Sequence, residues 1–222
     1  MNGVTPEGWL EYARLMEQAG ASALELNVYY IPTDATETSE HVEWRVVEAA
    51  RLVKQAVSIP VAVKLSPFYS SPAHLAQRLD ALGVAGLVLF NRFYQPEIDI
   101  ETLDVYPHLH LSDPSELLLR LRWLAILSGR TRGSLAVSGG VHGAKDAIRA
   151  VMAGAHAVQM VSALLLSGPE HLAKVRAGMV EWMEKHEYES LAQMHGSMSH
   201  ARCPDPAAFE RGNYMRVLQS WN

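Results

Sequence analysis

Two short strings at the ends of apolar segments carry the groups best able to do chemistry. Lys64 lies in Val63-Lys64-Leu65-Ser66-Pro67, and a glycine pair lies in Ser138-Gly139-Gly140-Val141. In a parallel α/β fold the carboxyl ends of the strands face the ligand. Lys64 would place an amine at that edge, and the backbone N–H groups of Gly139 and Gly140 could cradle a phosphate. These strings together predict a phosphorylated cofactor whose reactive end lies near Lys64.

Other polar residues follow apolar segments in the same way. Asn27 and Tyr30 come after one such segment, and Asn91 comes after another. The last apolar segment leads into Val161 and Ser162, which could add donors to the same phosphate. Each residue alone is ordinary, because asparagine at a strand end commonly bonds the backbone of a turn. Their coincidence at one edge of a sheet is what predicts a site.

The elements that must position these residues alternate between strand and helix. Three times an amphipathic helix ends at a glycine and an apolar strand follows, at Gly20, Gly83 and Gly154. The near-continuous apolar character of the strands is typical of parallel strands covered on both faces. The main predicted helices lie at 6–19, 40–56, 72–82, 114–127, 144–153 and 170–185, and the first is capped by Thr5.

Such β/α units predict an α/β fold of the TIM (β/α)8-barrel type. About five units are recognisable, so the barrel is apparently incomplete and its first strands are missing. We predict one partial barrel domain over residues 1–222, with residues 186–222 as a helical C-terminal extension packed on it. An open sheet has unpaired edges, which predicts a homo-oligomer or a complementing chain that covers the open edge.

Composition excludes several classes of protein. The 222 residues carry a formal net charge of −5, which argues against a nucleic-acid partner because such partners select basic surfaces. The lone Cys203 fits a reducing compartment. No apolar run has membrane-spanning length and the first residues lack a secretory signal, so we expect a cytoplasmic protein with no membrane partner. We expect a small-molecule substrate as its partner.

The ten histidines do not predict a metal site. No pair of them shows the spacing that places two ligands on one helical face beside a glutamate. His108 and His110 would point the same way only in an extended segment, and the sequence indicates no third ligand for them. We therefore expect no metal.

Five of these motifs resemble, in the same order, those of the dihydroorotate dehydrogenases, and the similarity spans essentially the whole chain. They are Leu24-Glu25-Leu26-Asn27, Val63-Lys64-Leu65-Ser66-Pro67, Gly86-Leu87-Val88-Leu89-Phe90-Asn91, Ser138-Gly139-Gly140-Val141 and the run from Gly154 to Leu164. The segments Asn27-Val28-Tyr29-Tyr30-Ile31-Pro32-Thr33-Asp34 and Phe90-Asn91-Arg92-Phe93-Tyr94-Gln95-Pro96 are similar to the bacterial dihydroorotate dehydrogenase-like branch.

The resemblance implies an FMN-dependent oxidoreductase of pyrimidine biosynthesis on a TIM barrel. It implies that Lys64 lies against the isoalloxazine ring, where a fixed positive charge favours the reduced anionic flavin. It implies that Asn27 and Asn91 bind the flavin or the pyrimidine substrate. The phosphate would be held by the residues after the last two strands, which are Ser138, Gly139, Gly140, Val161 and Ser162.

The sequence departs from the family pattern where the substrate binds. Tyr30 takes the position of the family's cysteine or serine base, and a tyrosine, whose usual pKa is about 10, is a weak base near neutrality. Pro32 replaces a substrate-binding asparagine. These departures leave open a related small ring or unsaturated amide in place of dihydroorotate. In the family, the first three strands supply further flavin contacts that we expect to be absent here. We therefore expect this chain alone to be weakly active or inactive.

Two alternatives remain. Lys64 could be the nucleophile of a Schiff-base aldolase, with Ser138-Gly139-Gly140 holding a sugar phosphate. The chain could also be a non-catalytic fragment or subunit that functions only by docking on a partner, as its unpaired sheet edge would allow.

Overall fold

A computed structural model of the chain describes residues 6–93, 95–210 and 214–220. Five parallel strands form one sheet in the order β1-β2-β3-β6-β7, and β4 and β5 form a separate antiparallel hairpin. The strands are β1 Leu24–Asn27, β2 Val61–Leu65, β3 Gly86–Leu89, β4 Pro96–Asp99, β5 Asp104–Pro107, β6 Ser134–Ser138 and β7 Ala157–Gln159. The five-stranded parallel sheet confirms the predicted α/β fold of partial-barrel type.

Helices connect the parallel strands. They are α1 Pro6–Gln18, α2 Ser39–Ala56, α3 Pro72–Ala81, α4 Leu117–Leu127, α5 Ala144–Ala153, α6 Ser162–Ser167, α7 His171–Lys185, α8 Leu191–Met194, α9 Ala207–Glu210 and α10 Tyr214–Gln219. Local signals set several boundaries: the Thr38 hydroxyl accepts the His41 N–H at the start of α2. The predicted cap Thr5 lies outside the described residues.

The core lies between the sheet and the helices. Leu26, Val63, Leu65 and Val137 alternate along the strands and are fully buried against the helices. The residues between them point to the opposite face and are only partly buried. This alternation follows from the two-residue period of a strand, and it leaves a second, concave face for polar side chains.

The sheet is strongly curved. In a flat sheet β1 and β7 would lie about 19 Å apart, since they are separated by four strand spacings of about 4.8 Å. Yet the Gln159 amide on β7 donates to the Glu25 carboxylate on β1 over 2.6 Å. Side chains from the two outer strands can meet only if the sheet curls around them, as in a segment of a barrel wall.

The structure differs from the predicted elements in two places. It contains the hairpin β4–β5, which was not predicted, and the helix expected over 114–127 begins with a 3-10 turn at Pro114–Glu116 before α4. In the C-terminal extension, which was expected to be helical, the described residues form the short helices α8, α9 and α10. Backbone hydrogen bonds tie the extension to the rest: Gly196 and Met198 donate to Val151 and Met152 at the end of α5.

No helix within the described ranges has both the length and the apolar character required to cross a membrane.

Candidate active site

Lys64 lies at the carboxyl end of β2 on the concave face. Its Nζ is 3.5 Å from Glu25 Oε1 and donates to Gln159 Oε1 over 3.2 Å. The Gln159 amide bonds Glu25 in turn, which closes a ring of three side chains from β1, β2 and β7. Because strands hold all three residues, the ammonium group is fixed in position.

Asn27 is paired with Lys64 in the β1–β2 register. Its Oδ1 is buried and has no hydrogen-bond partner. Among the described residues, Ser197 Oγ is the one other buried side-chain atom without a partner. A buried acceptor left unpaired costs about 1–3 kcal/mol, so a ligand that donates an N–H group would stabilise this position.

The glycine turn follows β6 and joins two other loops. Gly139 and Gly140 have φ values of 88° and 78°. The Gly140 N–H donates to the Ser112 hydroxyl over 3.3 Å, and the Ser112 N–H donates to the Ser162 hydroxyl over 2.9 Å. The structure thus brings the predicted Gly140 and Ser162 together, and Ser112 joins them although the sequence did not indicate it.

Close packing on α4 explains why this turn needs glycine. A Cβ on Gly140 would lie 2.4 Å from the Leu117 backbone nitrogen, and one on Gly139 would lie 2.8 Å from the Arg120 guanidinium. The Arg120 guanidinium bonds the Ser138 carbonyl and the Glu116 carbonyl. Burial lowers the pKa of Arg120. A cation therefore lies directly behind the turn, where it would favour an anion in front.

Val161 and Ser162 follow β7 and lie at the start of α6. The Val161 side chain is exposed, so this residue could offer a ligand only its backbone. The Ser162 hydroxyl points to the Ser112 loop. Ser138, paired with Gln159 in the register, links the phosphate-type turn to the strand that carries a partner of Lys64.

Asn91 and Arg92 line a cavity of about 780 Å³ beyond the end of β3. Arg92 pairs with Glu116 over 3.3 Å, and Glu116 also contacts Arg120. Aromatic rings form another wall of this cavity, since Phe68 and Phe93 line it and meet edge to face. The cavity thus combines apolar surface with a few polar groups, as small-molecule sites do.

Tyr29, rather than Tyr30, joins this aromatic wall. The Tyr29 ring stacks on Phe93 with centroids 4.4 Å apart. Tyr30 instead donates its hydroxyl proton to the Glu37 carboxylate and lies beneath Arg45, in a separate depression. The hydrogen bond to Glu37 raises the pKa of Tyr30, which is the opposite of the activation that a base requires.

Several contacts of the site were not predicted from the sequence. Glu25 and Gln159 lie in segments that resemble family motifs, but their contacts with Lys64 depend on the curvature of the sheet. Ser112 and Arg120 lie in segments without a recognisable signal. Their positions follow only from how α4 packs under the glycine turn.

The curved parallel sheet, with helices between its strands, is that of a barrel-type α/β protein, a class in which ligands bind at the carboxyl ends of the strands. The family model for dihydroorotate dehydrogenase matches residues 1–183. The chain belongs to the dihydroorotate dehydrogenase family.

Individual relatives agree with this family. The putative dihydroorotate dehydrogenase A (fumarate) of Aeropyrum pernix is 28% identical over 201 residues, which cover 87% of this chain and 64% of the relative. Dihydroorotate dehydrogenase A (fumarate) of Limosilactobacillus reuteri is 29% identical, with 83% and 62% covered. The catalytic subunit of dihydroorotate dehydrogenase B (NAD(+)) of Pelobacter propionicus is 29% identical, with 88% and 66% covered. The chain spans about two thirds or less of the length of these relatives.

Proposed function

We propose that the chain is the flavin-binding part of an FMN-dependent oxidoreductase that acts on dihydroorotate or a closely related small ring, in pyrimidine biosynthesis. One observation carries the proposal: in a chain of this family, two groups of polar residues lie at the carboxyl edge of one sheet. Lys64 and the unpaired Asn27 Oδ1 lie at the ends of β2 and β1. Beyond β6 and β7, the Gly140 N–H donates to the Ser112 hydroxyl and the Ser162 hydroxyl accepts the Ser112 N–H.

The residues of the site suit the parts of FMN. Lys64 would offer its positive charge to the pyrimidine side of the isoalloxazine ring, and Asn27 would accept an N–H from the ring or the substrate. The Gly139–Gly140 turn, the Val161 backbone and the Ser162 hydroxyl would hold the phosphate, with Arg120 adding positive charge behind the turn. FMN, when bound, supplies the two-electron acceptor for the substrate's oxidation.

The cavity suits a small, flat, anionic substrate. Asn91 offers both a donor and an acceptor, and Arg92 offers a cation for a carboxylate. The rings of Phe68 and Phe93 offer an apolar wall. The Arg92–Glu116 ion pair holds the guanidinium in place, at the cost of sharing its charge. We assign no proton transfer to Tyr30, since its hydroxyl is bound to Glu37.

The aldolase alternative has less support. A Schiff-base nucleophile must lose its proton, and desolvation or a neighbouring cation promotes that loss. Lys64 instead lies 3.5 Å from the Glu25 carboxylate, which is an anion rather than a neighbouring cation. The alternative of a subunit that needs a partner is favoured by the two outer strands β1 and β7, whose outer edges a second chain could cover.

Anaerobic reduction of the flavin tests the proposed function. The full chain is incubated with FMN, dihydroorotate is added without oxygen, and the visible absorbance of the flavin is followed. We expect bleaching that requires dihydroorotate and is lost with Arg92→Gln. Flavin that stays oxidised with dihydroorotate would contradict this substrate. Sedimentation velocity on the same sample distinguishes a monomer from the assembly that the partner alternative requires.

A further inference from the structure

Three side chains with metal-ligating atoms converge at the base of the β4–β5 hairpin. Glu97 lies on β4, and His108 and His110 follow β5 directly. Glu97 Oε2 is 3.7 Å from His108 Nδ1 and 3.6 Å from His110 Nε2. One ligand atom from each residue lies within 4.8 Å of the others. The sequence indicated no third ligand beside His108 and His110, and the structure places the Glu97 carboxylate next to both.

Hairpin geometry explains the convergence. Glu97 is paired with Tyr106 in the antiparallel register, so the next residues on that face are within reach of its carboxylate. His108 and His110 lie two residues apart just after β5, and their rings stack with centroids 4.2 Å apart, so both rings lie on the same side. The pairing of β4 with β5 brings Glu97 to that side as well.

We propose that Glu97, His108 and His110 form a binding site for a divalent transition-metal ion of the Zn²⁺ class. Two imidazoles and one carboxylate are the protein ligands of many zinc sites that keep a fourth position open. Ligand atoms around a tetrahedral Zn²⁺ lie about 3.3 Å apart, given bonds of about 2.0–2.1 Å. Side-chain movements of about 1.5 Å or less would close the site around an ion. Mg²⁺ and Ca²⁺ are disfavoured because they select oxygen ligands.

A second contact supports the carboxylate as a ligand. Tyr106 is paired with Glu97 in the antiparallel register, and its hydroxyl hydrogen-bonds the Glu97 carboxylate. Hydrogen bonds of this kind orient metal-binding carboxylates in known sites. All three ligand side chains are about half exposed, so an ion can reach them from solvent.

The proposed ion would lie at the rim of the cavity described above. His108 and His110 line the cavity together with Asn91 and Arg92. A fourth coordination position on this side would be open to water or to an anionic group in the cavity. The proposed metal site uses none of the residues assigned to flavin, so metal binding can be tested independently of the proposed function.

Metal titration of the full, tag-free chain tests the proposal. Zn²⁺ binding is measured by isothermal titration calorimetry, and Co²⁺ replaces Zn²⁺ to report the geometry through its visible absorption. The variants are Glu97→Gln, His108→Ala, His110→Ala and Tyr106→Phe. The controls are Glu101→Gln, in the turn of the same hairpin, and His74→Ala, on α3. Circular dichroism verifies that each variant is folded.

We expect one ion per chain and a Co²⁺ spectrum typical of four-coordinate sites. Loss of an outer hydrogen-bond partner weakens metal binding by about 10–100-fold, so Tyr106→Phe should raise the Kd by about tenfold. Loss of any of the three ligands should raise it by about 100-fold or more, while both controls bind as the wild type does. Absence of saturable Zn²⁺ binding, or the same Kd in the ligand variants and the wild type, would overturn the proposal.

Discussion

Replacing Gly140 by alanine tests how the glycine turn is built. The residue has φ of 78°, a conformation that costs an L-amino acid about 1–2 kcal/mol. A Cβ there would also lie 2.4 Å from the Leu117 backbone nitrogen and 2.8 Å from its Cα. Because backbone atoms cannot move aside as a flexible side chain can, overpacking should add about 1–3 kcal/mol. We expect Gly140→Ala to lower the free energy of unfolding by about 2–5 kcal/mol.

Gly129→Ala is the matched control. Gly129 has nearly the same φ, 77°, but no atom lies within 4 Å of the position that its Cβ would take. Only the conformational cost applies there, about 1–2 kcal/mol. Urea denaturation of the three proteins measures both changes, with equal m values as the condition for comparing them. Equal destabilisation by the two substitutions would refute the claim that α4 approaches the turn closely.

Two further predictions concern titratable groups. The hydrogen bond to Glu37 raises the pKa of Tyr30. The ultraviolet titration of the wild type should therefore contain a phenolate step above pH 10 that Tyr30→Phe lacks. Titrations of the two proteins without that difference would contradict the hydrogen bond. Partial burial opposes ionisation of Asp80, but hydrogen bonds from the Gly133 and Arg132 amides outweigh it and lower its pKa. Asp80→Ala should cost about 1–3 kcal/mol at pH 7. A carboxyl whose pKa is lowered in the folded state stabilises the fold at pH values above its unfolded pKa of about 3.9. Denaturation at several pH values should therefore show the loss of stability caused by Asp80→Ala shrink as the pH falls below about 4. A loss of stability that does not change with pH would contradict the role of the ionised Asp80 carboxylate.

Local sequence patterns predicted the strands of the sheet and most of the helices, because burial requires an apolar residue at each position that faces the core. Val63 and Leu65 are apolar where the strand faces helices, and α5 lies at 144–153 as its periodicity indicated. The site residues that follow strands, such as Lys64 and Gly140, were predictable for the same reason. A strand end fixes the edge of the sheet at which its side chain lies.

Features that depend on contacts across the chain were not predictable. The strands of the hairpin are four residues long and mostly exposed, so no alternation of apolar and polar residues marks them. Without that hairpin nothing links Glu97 to His108. Ser112 meets Ser162 across 50 positions in the sequence. The resemblance placed Tyr30 at the position of the family's base, but it could not predict that the Tyr30 hydroxyl bonds Glu37 while the Tyr29 ring stacks on Phe93. β1 ends at Asn27, so the directions of these later side chains depend on the loop.

Binding of FMN to the full chain tests the central claim most directly. Equilibrium titration followed by visible absorbance compares the wild type with Lys64→Met and with Lys54→Met, which removes an exposed lysine on α2. A hydrogen bond to a charged group contributes about 1.5–3 kcal/mol. We predict one FMN per chain, unchanged affinity for Lys54→Met, and a Kd about tenfold or more higher for Lys64→Met. Absence of binding by the wild type, or equal affinity for all three proteins, would contradict it.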